Sequence, residues 1–200
     1  MNTANIDKYI DRGYKDGLSW YADTQALFVE IYGPEYLPLV SKLFAATSIN
    51  SSLKSNIRLF RRALYELESG LPMGKYLPVM AMQIDAIRNG RPMSGRKIRS
   101  FAAAMSGDVN AVVVDIWLLR AFEESNKYYR QLSGTLREGG ATKWQYDVIE
   151  EYVRQEARIR GLEPRQVSAM IWSGVRRGVT RYHDILRHQI YNMYERNVTL

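Results

Sequence analysis

Apolar residues recur along this chain at intervals of three and four, the spacing of one face of an α-helix. The cleanest case is Leu53, Ile57, Phe60, Leu64 and Leu67, a single stripe with Lys54, Arg58, Arg61 and Arg62 on other faces. Leu27 and Ile31, then Leu37, Val40, Leu43 and Phe44, read as two amphipathic segments broken at Gly33-Pro34. Gly70, Pro72 and Gly74 punctuate before a helix over about 77–88 that stops at Asn89-Gly90. Another helix starts near Gly95 and runs to Met105, where Ser106-Gly107-Asp108 ends it. Asp115 to Glu124, Trp144 to Arg160, Pro164 to Arg177 and Val179 to Arg196 complete the set, with Pro164 suited to a first helical position. Val112-Val113-Val114 is the one β-branched run, and it is too short to build a sheet. The pattern predicts an all-α protein, with Ser133 to Thr142, around Gly139-Gly140, as its mobile loop.

Composition narrows the chemistry. The chain has 200 residues, 46% of them hydrophobic and 24% charged, as in ordinary globular domains. No apolar run approaches the roughly 18 residues of a membrane span, and the N-terminus lacks the apolar core of a secretory signal. These features predict a soluble cytoplasmic monomer without a membrane partner. With no cysteine and only 2 histidines, disulfides, thiolate nucleophiles, iron–sulfur clusters and zinc-thiolate sites are excluded.

Charge is unevenly spread. Residues 1–50 carry 4 basic and 6 acidic side chains, residues 51–107 carry 10 and 3, and residues 108–200 carry 14 and 12. The net charge of +7 therefore resides in the second quarter of the chain. A local basic excess suits a polyanion, because neutralised phosphates release counterions. A solvated basic face that keeps the protein soluble is the alternative. Within that quarter, Arg88, Arg91, Arg96, Lys97 and Arg99 crowd around a Pro/Gly turn, and no acid intervenes between Asp85 and Asp108. The stretch reads as helix, tight turn, helix, with Ser94 and Gly95 at the start of the second helix. Backbone amides there and the flanking cations can share one phosphate.

This stretch resembles the hairpin of the helix-hairpin-helix DNA glycosylase superfamily, which reads approximately Leu-Pro-Gly-Val-Gly-x-Lys-x-Ala followed by an apolar run and Val-Asp. Pro92, Gly95 and Lys97 stand in that register, and Val114-Asp115 follows 18 residues after Lys97. Over about residues 88–122 the likeness is firm. Ala45 to Asn50 is similar to the family's early helix and its Ser/Thr turn, and Arg165 to Trp172 to a segment of phage and plasmid-borne relatives. The resemblance implies a two-lobed all-α fold with a DNA cleft between the lobes. Residues 25–109 would form one lobe, and residues 1–24 with 110–200 the other. It implies double-stranded DNA as partner and excision of a modified base, with an associated strand-nicking lyase step. Lys97 would be the nucleophile at the sugar and Asp115 its partner. No cofactor is implied beyond a monovalent cation held by the hairpin backbone. Met93 stands where the family's hairpin has its first glycine, Arg99 replaces a small residue, and Ile-Trp-Leu follows Asp115 in place of Thr-His-Val.

Plainer readings accompany these. A lysine at a basic turn serves as a phosphate contact, and an aspartate ahead of an apolar helix serves as an N-cap. Trp20, Tyr21 and Trp117 are the candidates to stack on an extruded base. Glu150, Glu151 and Glu156 read as a solvated face, and His183, His188 and Asp184 diverge too far for a metal site. Arg176, Arg177, Arg181 and Arg187 form a second basic stretch, either along the DNA or in a salt lattice. A catalytically inert DNA-binding protein and a protein-interaction module remain as rival functions.

Overall fold

The computed structural model describes residues 4–125 and 141–176. Among these residues every regular element is helical, and no helix is long and apolar enough to cross a membrane. In chain order the helices are α1 (Ala4–Gly17), α2 (Trp20–Tyr32), α3 (Leu37–Thr47), α4 (Leu53–Glu68), α5 (Pro78–Arg88), α6 (Arg96–Met105), α7 (Ile116–Ser125), α8 (Lys143–Arg160) and α9 (Pro164–Arg176). A 3-10 turn over Pro34–Tyr36 fills the break at Gly33-Pro34. The expected helix over Val179 to Arg196 and most of the loop from Ser133 to Thr142 lie outside the described residues, as do His183, Asp184 and His188.

The chain divides into two compact units, and within the described residues it crosses between them at 22/23 and 106/107, where the sequence reading placed the crossings at 24/25 and 109/110. The described part of the first unit comprises α1, the start of α2, α7, α8 and α9. Its closest packing is between α1, a helix the periodicity reading does not assign, and α9. Gly13 and Gly17 face Met170, and Gly174 faces Tyr9. A Cβ at Gly13 would sit 1.9 Å from the Met170 carbonyl oxygen, and one at Gly174 would sit 1.9 Å from that of Tyr9. The two backbones touch because these positions have no side chain. Arg12 Nη1 also donates to the Gly174 carbonyl at 3.2 Å.

Other local signals explain the remaining elements of this unit. Thr142 and Gln145 form a reciprocal capping box at the start of α8, and Gly161 ends it in the left-handed conformation at φ 65. Residues Ala111 to Val114 are buried without strand partners. The Tyr146 hydroxyl donates to the Val112 carbonyl at 2.8 Å and receives the Val114 amide at 3.4 Å, which fixes the segment that delivers Asp115. On α8, Arg154 pairs with Glu150 and Arg158 with Glu151, while Arg160 meets Glu156, Asp7 and Asp11. Glu150, Glu151 and Glu156 thus belong to a salt lattice on the helix face.

The described part of the second unit, residues 23–106, is organised around α3, which packs against α4, α5 and α6. Phe28, Phe44 and Phe60 form its aromatic centre, with ring centroids 5.5 to 5.9 Å apart. Ser52 caps α4 through the Ser55 amide. A carboxylate then ties down the loop that leads into α5. Glu66 is buried and accepts from Arg62 Nε at 2.7 Å, Tyr76 Oη at 2.8 Å and the Gly74 amide at 3.1 Å. Burial pushes the Glu66 carboxyl up, but the Gly74, Tyr76 and Arg62 hydrogen bonds together outweigh it and hold the pKa below the ordinary glutamate value. Burial, and then the neighbouring Glu66 carboxylate, push the Tyr76 hydroxyl well above its usual range.

A lowered folded-state pKa means stability that is complete above the unfolded pKa and is lost as pH falls through the folded one. Glu66→Gln is therefore expected to cost about 1–3 kcal/mol at neutral pH, since it weakens three bonds to a buried acceptor. The gap between variant and wild type should close on acidification below the ordinary carboxylate range. Urea melts at a series of pH values check this, and a gap that stays constant would contradict it.

Candidate nucleic-acid interface

The turn between α5 and α6 is built by successive local requirements. Helix α5 ends in a Schellman motif, in which the Arg91 amide donates to the Ala86 carbonyl at 2.8 Å and the Gly90 amide to that of Ile87 at 3.2 Å. Gly90 takes the left-handed conformation this requires, at φ 64. Met93 then turns inward, 7% exposed, onto Ala45, Ile98 and Ala102. The buried Gln83 holds the next residue from below. Its Nε2 donates to Ser94 Oγ at 2.6 Å, and its Oε1 accepts from the Ser94 amide at 2.9 Å. Gly95 precedes α6 at φ 83, and a Cβ there would meet nothing closer than Ile98 Cδ1 at 3.9 Å. Gly95 is needed for its backbone angle, not for space. No side chain caps the start of α6.

The five cations separate into two groups. Arg88 donates to the carbonyls of Leu71 at 2.9 Å and Glu66 at 3.4 Å, so it fastens the 69–77 loop to α5. Arg91 pairs with Asp85, which also receives Asn89 Nδ2 at 2.9 Å. These two have protein partners, whereas the sequence reading assigned them to phosphate. Ser94 is likewise held by Gln83 and positions the turn. Arg96, Lys97 and Arg99 surround the first turn of α6. Arg96 and Lys97 are half-buried and Arg99 is exposed, with its Nη1 donating to the Met93 carbonyl at 3.3 Å. Lys97 Nζ lies 5.7 Å from the centroid of Phe101, a ring that packs on Phe44 at 6.3 Å.

The other named residues belong to the first unit. Asp115 is half-buried and caps α7: its Oδ1 accepts the Trp117 amide at 2.8 Å and the Leu118 amide at 3.0 Å. Trp20 and Tyr21 are 4% and 6% exposed and pack edge-on at 4.8 Å. A buried ring offers no face to an extruded base, so both are corrected from stacking candidates to core residues. Trp117 is half-buried and already carries two guanidinium groups, Arg120 Cζ at 4.6 Å and Arg176 Cζ at 5.3 Å from its centroid. Arg176 Cζ also lies 5.1 Å from the centroid of Trp172. This arrangement was missed, although the spacings Trp117/Arg120 and Trp172/Arg176 place each pair on one helix face. Arg177, Arg181 and Arg187 lie outside the described residues. No cluster of three His, Asp or Glu able to hold a metal ion occurs among the described residues.

The model of a family of unknown function, DUF7178, matches residues 8–179, which spans both units. No curated protein and no solved structure matches the chain.

Proposed function

The chain belongs to the DUF7178 family of unknown function, and on that premise we propose that it binds duplex DNA through the α5–α6 hairpin and excises a modified base. The observation that carries the reading is the hairpin itself. A Schellman turn, an inward-turned Met93, the Gln83–Ser94 staple and Gly95 at φ 83 deliver an uncapped helix start among Arg96, Lys97 and Arg99. A helix N-terminus with cations beside it favours a phosphate through the helix dipole as well as through charge. Such contacts grip the backbone without reading bases, which suits an enzyme that scans for damage.

Met93 stands where the resembling hairpin has its first glycine, and its side chain is accommodated in the core beside Ala45, Ile98 and Ala102. A monovalent cation on the hairpin carbonyls does not fit this chain in the same way. The Met93 carbonyl accepts from Arg99, which supplies a positive charge of its own there. In the proposed chemistry the Lys97 amine attacks C1′ and the C1′–N bond breaks, its electron pair leaving with the base, which takes up a proton. The attacking nitrogen gives up one proton. The C1′–O4′ bond then breaks, its electron pair staying on O4′, which takes up a proton from solvent as the C1′–Nζ bond becomes a protonated Schiff base. The resemblance gives the partner role to Asp115, whose Oδ1 accepts the Trp117 and Leu118 amides at the start of α7.

A second reading, an inert DNA-binding protein, has its own support. The cap on α7 accounts for Asp115 Oδ1, and Phe101 accounts for a charged Lys97. Both readings share the hairpin contact, and a salt titration tests it. Arg96→Ala and Arg99→Ala should each weaken duplex binding equally for all sequences and lower the slope of log K against log salt by about one unit. Arg91→Ala should change the slope less, because Asp85 already partners that guanidinium. Altered sequence preference with an unchanged slope would overturn the phosphate assignment.

A further inference from the structure

The first unit carries an arrangement the hairpin reading leaves unused. Arg120, Trp117, Arg176 and Trp172 form an alternating ladder of guanidinium and indole across α7 and α9, with centroid distances of 4.6, 5.3 and 5.1 Å. The ladder is anchored inward, because Trp172 meets Trp20 at 5.7 Å and Trp20 is core. We propose that this ladder is a second phosphate-binding surface, on which Arg120 and Arg176 grip the sugar-phosphate backbone of a nucleic acid. It shares with the preceding reading only the identity of the polyanion.

Three observations carry it. The first is the contrast with the arginines of α8 and of the start of α9, while Arg12 on α1 donates to the Gly174 carbonyl and lies over Tyr9. Arg154, Arg158, Arg160 and Arg165 each sit in an ion pair, whereas Arg120 and Arg176, both exposed, form none among the described residues. Glu123, at i+3 from Arg120 on α7, does not pair with it. Two cations with no ion pair among the described residues are thus held on one indole, at a Coulombic cost that an anion would relieve.

The second concerns what stacking leaves available. A guanidinium over a ring spends its face on the π-system and keeps its N–H donors at the edges. Those edges form a bidentate fork for phosphate oxygens, and the indole has already restricted the side chain's rotamers, so less entropy remains to be lost on binding. The third is spacing. Both guanidinium carbons lie close to the Trp117 centroid, which keeps them within about 10 Å of each other. That span allows the two groups to reach neighbouring phosphates of one strand. With guanidinium groups over Trp117, the ladder suits backbone contact and not base stacking.

The test uses the full chain and a fluorescein-labelled 20-base-pair duplex of mixed sequence, read by anisotropy over a salt series. Arg120→Gln with Arg176→Gln should lower the salt slope by about two units and weaken binding at least tenfold at the lowest salt. The Arg120→Lys, Arg176→Lys pair should keep the slope and lose affinity a few-fold at every salt, because charge remains while fork and stack are lost. Thermal melts show whether the pair variants stay folded. If the glutamine pair does not, Arg120→Gln alone, at an exposed position, should still lower the slope by about one unit.

The companion variant Arg96→Gln, Arg99→Gln separates this proposal from the hairpin. A slope lowered by the ladder pair and untouched by the hairpin pair leaves the ladder standing and removes the hairpin reading. A slope lowered by the hairpin pair and untouched by the ladder pair makes the ladder a packing staple between α7 and α9 and overturns the proposal. Absence of salt-dependent binding by the wild type overturns it as well.

Discussion

Gly13→Ala and Gly174→Ala are each expected to destabilise the first unit by ~3 kcal/mol or more, at or beyond the upper end of ordinary overpacking. For a chain of this size that is a fall in melting temperature of roughly 6–12 °C. The added methyl at either position would lie 1.9 Å from a main-chain carbonyl oxygen of the opposite helix, and backbone cannot rotate away as a side chain can. Relief requires α1 and α9 to separate, which opens the contact along its length, including the Arg12 bond to the Gly174 carbonyl. Intrinsic helix propensity predicts the opposite sign, since alanine is favoured over glycine by about 1 kcal/mol in a helix. Because the two glycines share one contact, the double variant should cost less than the sum of the singles. Thermal or urea melts decide the matter, and a stabilised Gly13→Ala would contradict the close approach.

That pair also shows where sequence reading stops. Helices α3 to α9 were legible because each presents one apolar stripe, and their ends were legible from Asn89-Gly90, Pro164 and Gly161. Helix α1 was not. Its glycines at 13 and 17 look like breakers in isolation, and only the facing surface of α9 reveals them as contact positions. The same holds for the Ala111 to Val114 run, whose hydrophobicity is legible but whose anchor, Tyr146, lies 32 residues downstream of Val114.

In the hairpin, Gly90 and Gly95 were readable because a turn demands their backbone angles. The duties of individual cations were not. Arg88 and Arg91 resemble Arg99 in sequence, and only the fold shows that the first reaches the Leu71 carbonyl, the second Asp85 and the third the Met93 carbonyl. Trp20 and Tyr21 were misjudged for a related reason. Aromatic identity does not disclose burial, and they pack as core while Trp117 and Trp172 hold the arginines. The Trp117/Arg120 and Trp172/Arg176 spacings were the available signal, but the bridge from Arg176 to both indoles depends on how α7 meets α9.

The second large effect is expected at Lys97. Its side chain projects from the first turn of α6, half-buried, beside Phe101 and between Arg96 and Arg99. Gly95 and the buried Met93 position the start of that helix, so replacing the Lys97 side chain should leave the hairpin intact. Lys97→Gln keeps most of the side chain and its hydrogen-bonding capacity while removing the amine, so duplex affinity should persist with a salt slope lower by at most about one unit. Covalent chemistry, in contrast, should vanish, because an amide nitrogen forms no Schiff base. Borohydride trapping on a panel of duplexes carrying an abasic site or an altered base measures this directly, since reduction converts the Schiff base into a stable protein–DNA cross-link. The expected result is a cross-link with the wild type that falls to background with Lys97→Gln. No cross-link from the wild type on any duplex, or an equal cross-link from Lys97→Gln, would contradict Lys97 as the nucleophile of a base-excising enzyme.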